Sequence, residues 1–330
     1  MTARKTGSVY RNTLTTDTLS ADVRPINRRD NMSITGSVRS LIRSSAGRGA
    51  IFMLLAIFLF SCVDAIGKLL TVHIHPLQVG WTRQLGIAVI ALYLIARRGR
   101  GVLRTNSRWL QIARAATVAG ASTLIYFALQ HVPLADATAV LFVGPFMITV
   151  VAAIFLKEPV GFRRWITIII GFAGTLLVVR PGMGIVHPAI FFVFLTAAFF
   201  AARQIIARIL ATRDPIETTI VYTGLGSVTI LSIPLLSVWQ TPDSLYVVGL
   251  CCAIALIAGV AEICMIKSVE MTLAVVVAPV MYTMIVWSVL IGLVIFKQVP
   301  DLSTIFGAGI IIGSGIYSLY HDYQSGRGKA

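Results

Sequence analysis

Six charged residues stand inside stretches of sequence that are otherwise apolar: Asp64, Lys68, Arg83, Arg114, Arg203 and Glu262. A charge inside an apolar span costs several kcal/mol unless it is paired or used, so each is read first as a functional residue. Asp64 and Lys68 are four positions apart and share a helix face. At about 1.5 Å of rise per residue, Asp64 lies roughly 12 Å and Arg83 roughly 10 Å from the outer membrane boundary. The three can form one network in the outer half. It is either an interhelical salt bridge without ligand contact or a group that touches a substrate or an outer gate, and Lys68 alone could instead snorkel outward. Glu262, Arg203 and Arg114 fall roughly 5–10 Å from the inner boundary by the same count. Glu262 is the best-placed protonatable carboxylate, unless it serves only as a structural partner of Arg203; Arg114 can reach the headgroups. Trp81, Tyr126, Tyr282 and Trp287 offer stacking faces with one polar atom each, and each has the alternative of plain packing or an interfacial belt. Pro145 and Pro279 can break helices and free carbonyls toward a cavity.

Other chemistry has no such footing. HExxH, GxSxG and Walker A patterns are absent. His73 and His75 share a short loop without a third ligand, and Cys62, Cys251, Cys252 and Cys264 sit in apolar runs without metal-ligand spacing. The expectation is a protein with no cofactor or metal and no enzymatic activity.

The elements that must carry these residues follow from composition. The chain has 330 residues, 57% hydrophobic and only 12% charged, with a mean hydropathy of +0.85. A soluble domain carries about a quarter charged residues, so lipid is the solvent for most of this one. The net charge of +15 does not indicate nucleic acid, because the basic residues lie in short segments between apolar runs rather than on one continuous face. Apolar runs over 50–72, 77–96, 109–129, 134–156, 162–180, 188–211, 217–238, 244–265, 273–296 and 302–320 predict ten transmembrane helices. An all-α bundle follows, since backbone polar groups in lipid must be satisfied within the segment. Residues 1–48 form a basic tail without an apolar run able to fold, with Met32 as an alternative start, and 322–330 form a second short tail. With the N-terminus inside, 22 of the 28 Lys/Arg fall on the cytoplasmic side and two, Arg180 and Lys297, outside. That bias predicts both termini in the cytoplasm and, in a bacterium, a multi-pass protein of the inner (plasma) membrane.

A repeat underlies the spans. Residues 133–158 align without a gap on 273–298, at an offset of 140, with Phe142 opposite Tyr282, Ala152 opposite Gly292 and Lys157 opposite Lys297. AIGKLL at 65–70 resembles QIIARIL at 204–210, placing Lys68 opposite Arg208. Five spans per copy, an odd number, invert the second copy, and the loop charges reverse accordingly: Arg-rich 97–108 corresponds to 239–244, which has no basic residue. Two inverted five-helix repeats, 49–180 and 188–321, are expected, a plan shared with secondary transporters whose substrate sites lie between the halves.

The stretch from Tyr126, YFALQHVPLADATAVLFVGPFMITVVAAIFLKEPVGFRRWITIIIGFAGTLLVVRPG, resembles the central signature of EamA-type transporters of the drug/metabolite transporter superfamily. Ala128, Pro133-Leu134-Ala135, Ala137, Pro145, Glu158, Gly171 and Gly174 carry the resemblance, and Pro279, Tyr282, Gly292, Phe296, Pro300 and Gly307 repeat it in the second half. Lys68 and Arg83 stand where that family often has a lysine and an arginine. Lys297-Gln298 departs from the Gly-Glu usual there. The resemblance implies alternating-access transport of a small polar or amphipathic organic metabolite, such as a riboflavin-like vitamin, an amino acid or a nucleoside-like compound. Protons are the candidate coupling ion, and a homodimer is allowed. The alternative is a non-transporting membrane receptor or subunit built on the same bundle.

Overall fold

The computed structural model describes residues 45–155, 162–179, 187–271 and 280–327. The basic tail, Glu158, Arg180 and Pro279 lie outside the described residues. Within them the chain is all-helical: α1 (Ser45–Leu70), α2 (Pro76–Arg98), a short 3-10 turn (Arg100–Leu103), α3 (Arg108–Leu129), α4 (Leu134–Leu141), α5 (Gly144–Phe155), α6 (Phe162–Val179), α7 (Ile190–Leu210), α8 (Ile216–Val238), α9 (Leu245–Met271), α10 (Thr283–Phe296) and α11 (Leu302–Arg327). Among the described residues seven segments are long and apolar enough to cross a membrane, with α4 and α5 counted as one, and three shorter apolar helices accompany them, Trp165–Val179, Thr283–Phe296 and Leu302–Tyr317.

Local chemistry sets the ends of these helices. Pro76 opens α2, and the His75 imidazole accepts a 3.3 Å hydrogen bond from the Leu77 N–H, satisfying one of the free donors of the first turn. Gly99, at φ 74, closes it in a conformation that a side chain would strain. The fourth span is broken after Leu141. Pro145 has no N–H to return to the Leu141 carbonyl, and the chain restarts as α5 at Gly144.

Helices pair across the sequence halves more than within them. α1 packs on α9 and α3 on α7; α2 packs on α9 and α3 on α8; α1 meets α10 and α5 meets α7; α2 pairs with α8, α4 with α10 and α6 with α11. Exchanging the halves maps this pattern onto itself, as a two-fold relation between two repeats requires. Close approach depends on a small residue at one crossing in particular. A Cβ on Gly86 would collide with the Ala255 carbonyl of α9, so only glycine allows α2 to lie so near.

Two polar seams close the ends of the bundle. At the end carrying His73, His75, His131 and His187, Gln78 donates to the Gln240 carbonyl at 2.8 Å and accepts from its N–H at 3.0 Å. At the opposite end, rich in arginine, Asp214 in the turn before α8 accepts from Thr105 at 2.5 Å, the Asn106 N–H at 3.0 Å and Gln111 at 2.9 Å, while Arg98 pairs with Glu217 at 2.5 Å. Burial raises the Asp214 carboxyl, but the hydrogen bonds from Thr105, Asn106 and Gln111, with Arg213 nearby, outweigh it and hold the group below the usual carboxylate range. A depressed pKa in the folded state means that the charged seam stabilises the fold above the unfolded value near 4 and is lost as pH falls through the folded one. Asp214→Asn should therefore lower the melting temperature of the detergent-solubilised protein at neutral pH. The deficit should shrink on acidification below about pH 4; a deficit that stays constant with pH would place the stabilisation elsewhere.

Candidate functional site

One cavity of about 210 Å³ opens between the halves. Each helix lends it one face at helical spacing: Ile57, Phe60 and Asp64 from α1; Arg83, Gln84 and Ile87 from α2; Val118, Ala121, Ser122 and Ile125 from α3; Thr196, Phe200 and Arg203 from α7; Ala258, Glu262 and Met265 from α9. Leu141, Phe142 and Pro145 enter where α4 gives way to α5, and Met281 and Met284 complete the wall. Phe60 and Phe200 are again 140 positions apart, so the repeats supply matching rings to opposite sides.

The charges are arranged unequally. Arg83 donates to Asp64 at 3.3 Å and to the Tyr126 hydroxyl at 3.4 Å, and its guanidinium lies within 6.0 Å of the Phe60 and Tyr126 ring centroids. Asp64 is only 6% exposed, so this is an ion pair largely withdrawn from water. Arg203 is held differently. Its guanidinium sits 5.0 Å from the Phe200 centroid, and its buried Nε has no hydrogen-bond partner among the described residues. Arg114 bonds the Thr223 hydroxyl on α8, with its Nε also unpartnered. Glu262 faces the cavity within electrostatic reach of Arg83, Arg114 and Arg203. Gln84 donates to the Val118 carbonyl at 3.5 Å and leaves its buried Oε1 unpaired.

The two charged sets expected at different depths thus meet in one chamber: Asp64, Arg83, Arg203 and Glu262 all line it. Lys68 does not. Its long stem carries the ammonium away to the Val132 carbonyl, at 2.6 Å, and over the Phe296 ring at 5.4 Å. Trp81 turns to α8, where its indole donates to Ser232 at 2.9 Å. Tyr126 stands behind Arg83 rather than in the wall, fully buried with its ring against Gly67. Tyr282 stacks on Phe142 at 5.0 Å. Trp287 packs edge-on to Phe58 at 4.9 Å, its indole N–H unpartnered. Sequence reasoning missed Gln84, Ser122, Thr196, Phe200 and the methionines. Phe200 and Gln84 were within reach of it, three residues before Arg203 and one after Arg83; neutral residues in an apolar span otherwise carry no mark.

Packed side chains lie between the cavity and the histidine end. Leu70, Ile74, Val79, Leu129, Val132, Leu134, Ala189, Val193 and Val247 form a buried core there. A clasp lies over it: besides the Lys68–Val132 bond, Gln298 accepts from the Leu134 N–H at 3.4 Å and Thr304 donates to Asp136 at 2.8 Å. Gln298 follows Lys297, whose left-handed φ of 56 ends α10, so the residues that depart from the expected Gly-Glu close this end.

The model of the EamA-like transporter family matches residues 47–180 and again 187–320. The chain is 27% identical over 280 residues to an S-adenosylmethionine uptake transporter of Rickettsia conorii, covering 83% of this chain and 93% of that one. It is 28% identical over 268 residues to the pseudopaline exporter CntI of Pseudomonas aeruginosa, covering 80% and 93%, and 25% identical over 269 residues to a riboflavin transporter of Vibrio cholerae, covering 80% and 90%. A solved structure at 18% identity, covering 81% of this chain and 94% of its own, superposes with a TM-score of 0.57 and supports the fold alone.

The ion pair makes its own prediction. Asp64→Asn and Arg83→Gln should each destabilise the protein by about 1–3 kcal/mol, since each leaves the other group buried without its partner. The double variant should lose less than the two losses together, by about 1 kcal/mol or more. Thermal unfolding in detergent measures this cycle, and strictly additive losses would show that the two side chains do not act as a pair.

Proposed function

Because the chain belongs to the EamA-like transporter family, we propose that it is an alternating-access carrier of a small polar or amphipathic organic metabolite. The observation that carries this reading is the cavity itself. It lies between two exchangeable halves, holds polar and charged groups left without hydrogen-bond partners among the described residues, and has a packed core on its histidine side. The relatives named as carriers of S-adenosylmethionine, pseudopaline and riboflavin support a small-metabolite cargo.

The seven long segments and three shorter apolar helices together supply ten spans in two inverted repeats. The bias of Lys/Arg puts the arginine end and both termini in the cytoplasm, in an inner membrane. The histidine end is then external, and the conformation described is closed outward. Opening to the outside must part the Lys68–Val132 contact and its neighbours, which gives Lys68 a place in the outer gate rather than in the substrate site. A coupled carrier would use protons, with Glu262 and Asp64 as the carboxylates that face the pathway.

Purified protein in liposomes tests the carrier. Saturable flux of a metabolite, abolished by Asp64→Asn, is the expected result; tight binding without flux would make the protein a receptor. Single cysteines test the gate and the topology together. Those at positions 73 and 240 should label from outside and those at 106 and 212 from inside. Lys68→Met should speed external labelling of a cysteine at position 122 several-fold, and no change would remove Lys68 from the gate.

A further inference from the structure

The four charges of the cavity are not equivalent, and the difference specifies a ligand. Arg83 already has its counter-charge in Asp64 and a second acceptor in Tyr126. Arg203 has neither. Its guanidinium rests on the Phe200 ring, its Nε is buried and unpartnered, and the residue lines the cavity. Unmade hydrogen bonds on a buried guanidinium are costly, and a planar fork of N–H donors matches a carboxylate. On the acceptor side, Glu262 lines the same cavity without a hydrogen bond among the described residues, and the buried Oε1 of Gln84, another lining residue, is unpaired there. An unpartnered donor on Arg203 and two unpaired acceptors, on Glu262 and Gln84, therefore lie around one small chamber among the described residues. Three phenylalanines and three methionines, Phe60, Phe142, Phe200, Met265, Met281 and Met284, stand in the remaining wall among aliphatic side chains. Methionine adapts its shape and favours contact with aromatic or sulfur-bearing groups.

We infer that the substrate is a zwitterion carrying an α-amino-acid head group, its carboxylate on Arg203, its ammonium on Glu262 and Gln84, and its apolar side chain among the phenylalanines and methionines. The inference rests on the carrier reading and narrows it, since an uncharged ring system such as riboflavin could hydrogen-bond these groups but not counter their charges. The Asp64–Arg83 pair is here a positioning element, which keeps a second guanidinium in the cavity from competing for the carboxylate.

Matched probes test this. Phenylalanine, phenylpropionate and phenylethylamine share one side chain and carry both charges, the carboxylate alone or the ammonium alone. S-adenosylmethionine adds a larger zwitterion, and riboflavin a neutral control. Thermal shift of the purified protein and counterflow in liposomes are read for each probe. At least one zwitterion should shift the melting temperature and exchange, while phenylpropionate, phenylethylamine and riboflavin should not. Arg203→Gln should weaken that zwitterion about 30-fold or more, as for loss of one partner of a desolvated charge pair, and Arg203→Lys should recover part of it. Glu262→Gln should move the preference toward phenylpropionate, a change of selectivity that mere loosening of the bundle would not give. The melting temperature without ligand identifies any variant that has failed to fold, and the Glu262→Gln selectivity then carries the test for Arg203. Binding or exchange of riboflavin or a singly charged probe as strong as that of the zwitterions would overturn the inference and leave the carrier standing. Unchanged zwitterion affinity in Arg203→Gln would do the same. Neither shift nor exchange with any probe would count against the inference and the carrier together.

Discussion

Arg83 lies where α1, α2 and α3 meet, its guanidinium 3.3 Å from Asp64 and 3.4 Å from the Tyr126 hydroxyl. In lipid a lone guanidinium at that depth would have to thin the bilayer or draw water inward. Paired, it can sit against aromatic rings, and the helices that carry the partners are held to it. Gly67 then follows as a requirement, since Tyr126 can stand behind Arg83 only if α1 presents no side chain there. The close packing of α1 on α9 and of α2 on α9 brings Glu262 to the same chamber. The polar interior is thus organised around one satisfied cation, and the other charges are defined by what that cation leaves over.

Such a site is expensive in stability. Apolar residues of similar volume would often hold the helices together as well or better. Arg203 and Glu262 attract each other across the cavity but make no hydrogen-bonded pair among the described residues, so much of the cost of burying them is left uncompensated. In a carrier this has a use: the ligand supplies the missing interactions, and it supplies them only while it is bound. If the clasp of Lys68 to Val132 and Gln298 to Leu134 is the proposed gate, its modest bonds suit it, because a gate that opens in every cycle cannot be closed by interactions too strong to break.

The sequence disclosed the charges but not their assembly. Apolar runs gave the helices, and the offset of 140 pointed to an exchange symmetry that the helix pairing now displays. Asp64 and Glu262 stood out because a carboxylate in an apolar span has few innocent explanations. Their union in one cavity was not legible. Counting residues from a boundary yields depth alone, whereas two side chains meet through azimuth, tilt and reach, and arginine can cover several ångströms of depth. The same ignorance left Lys68 open between the Asp64 network and an outward reach of its own. Spacing of four put it on the Asp64 face, yet its flexible stem lets the ammonium leave that face altogether. Trp81, Tyr126, Tyr282 and Trp287 were chosen by type, and type does not say which way a ring turns. Gln84, Ser122 and Thr196 left no mark because a neutral polar residue in a span can simply bond the backbone of its own helix, as Ser122 and Thr196 do here.

The exchanged pairing of the helices also bears on how the protein is made. α1 finds its most extensive partner in α9, and α2 finds α8 and α9, all of which lie in the second half of the chain. During synthesis the first half enters the bilayer before these surfaces exist. Asp64 and Arg83 can neutralise each other at once, being on neighbouring helices, so the charged hairpin tolerates the wait. The glycine face of α2 cannot, since nothing fills it until α9 arrives. Biogenesis therefore holds a period in which half a bundle stands in lipid with its docking surfaces bare, dependent on the insertion machinery or a membrane chaperone to keep it from a wrong neighbour.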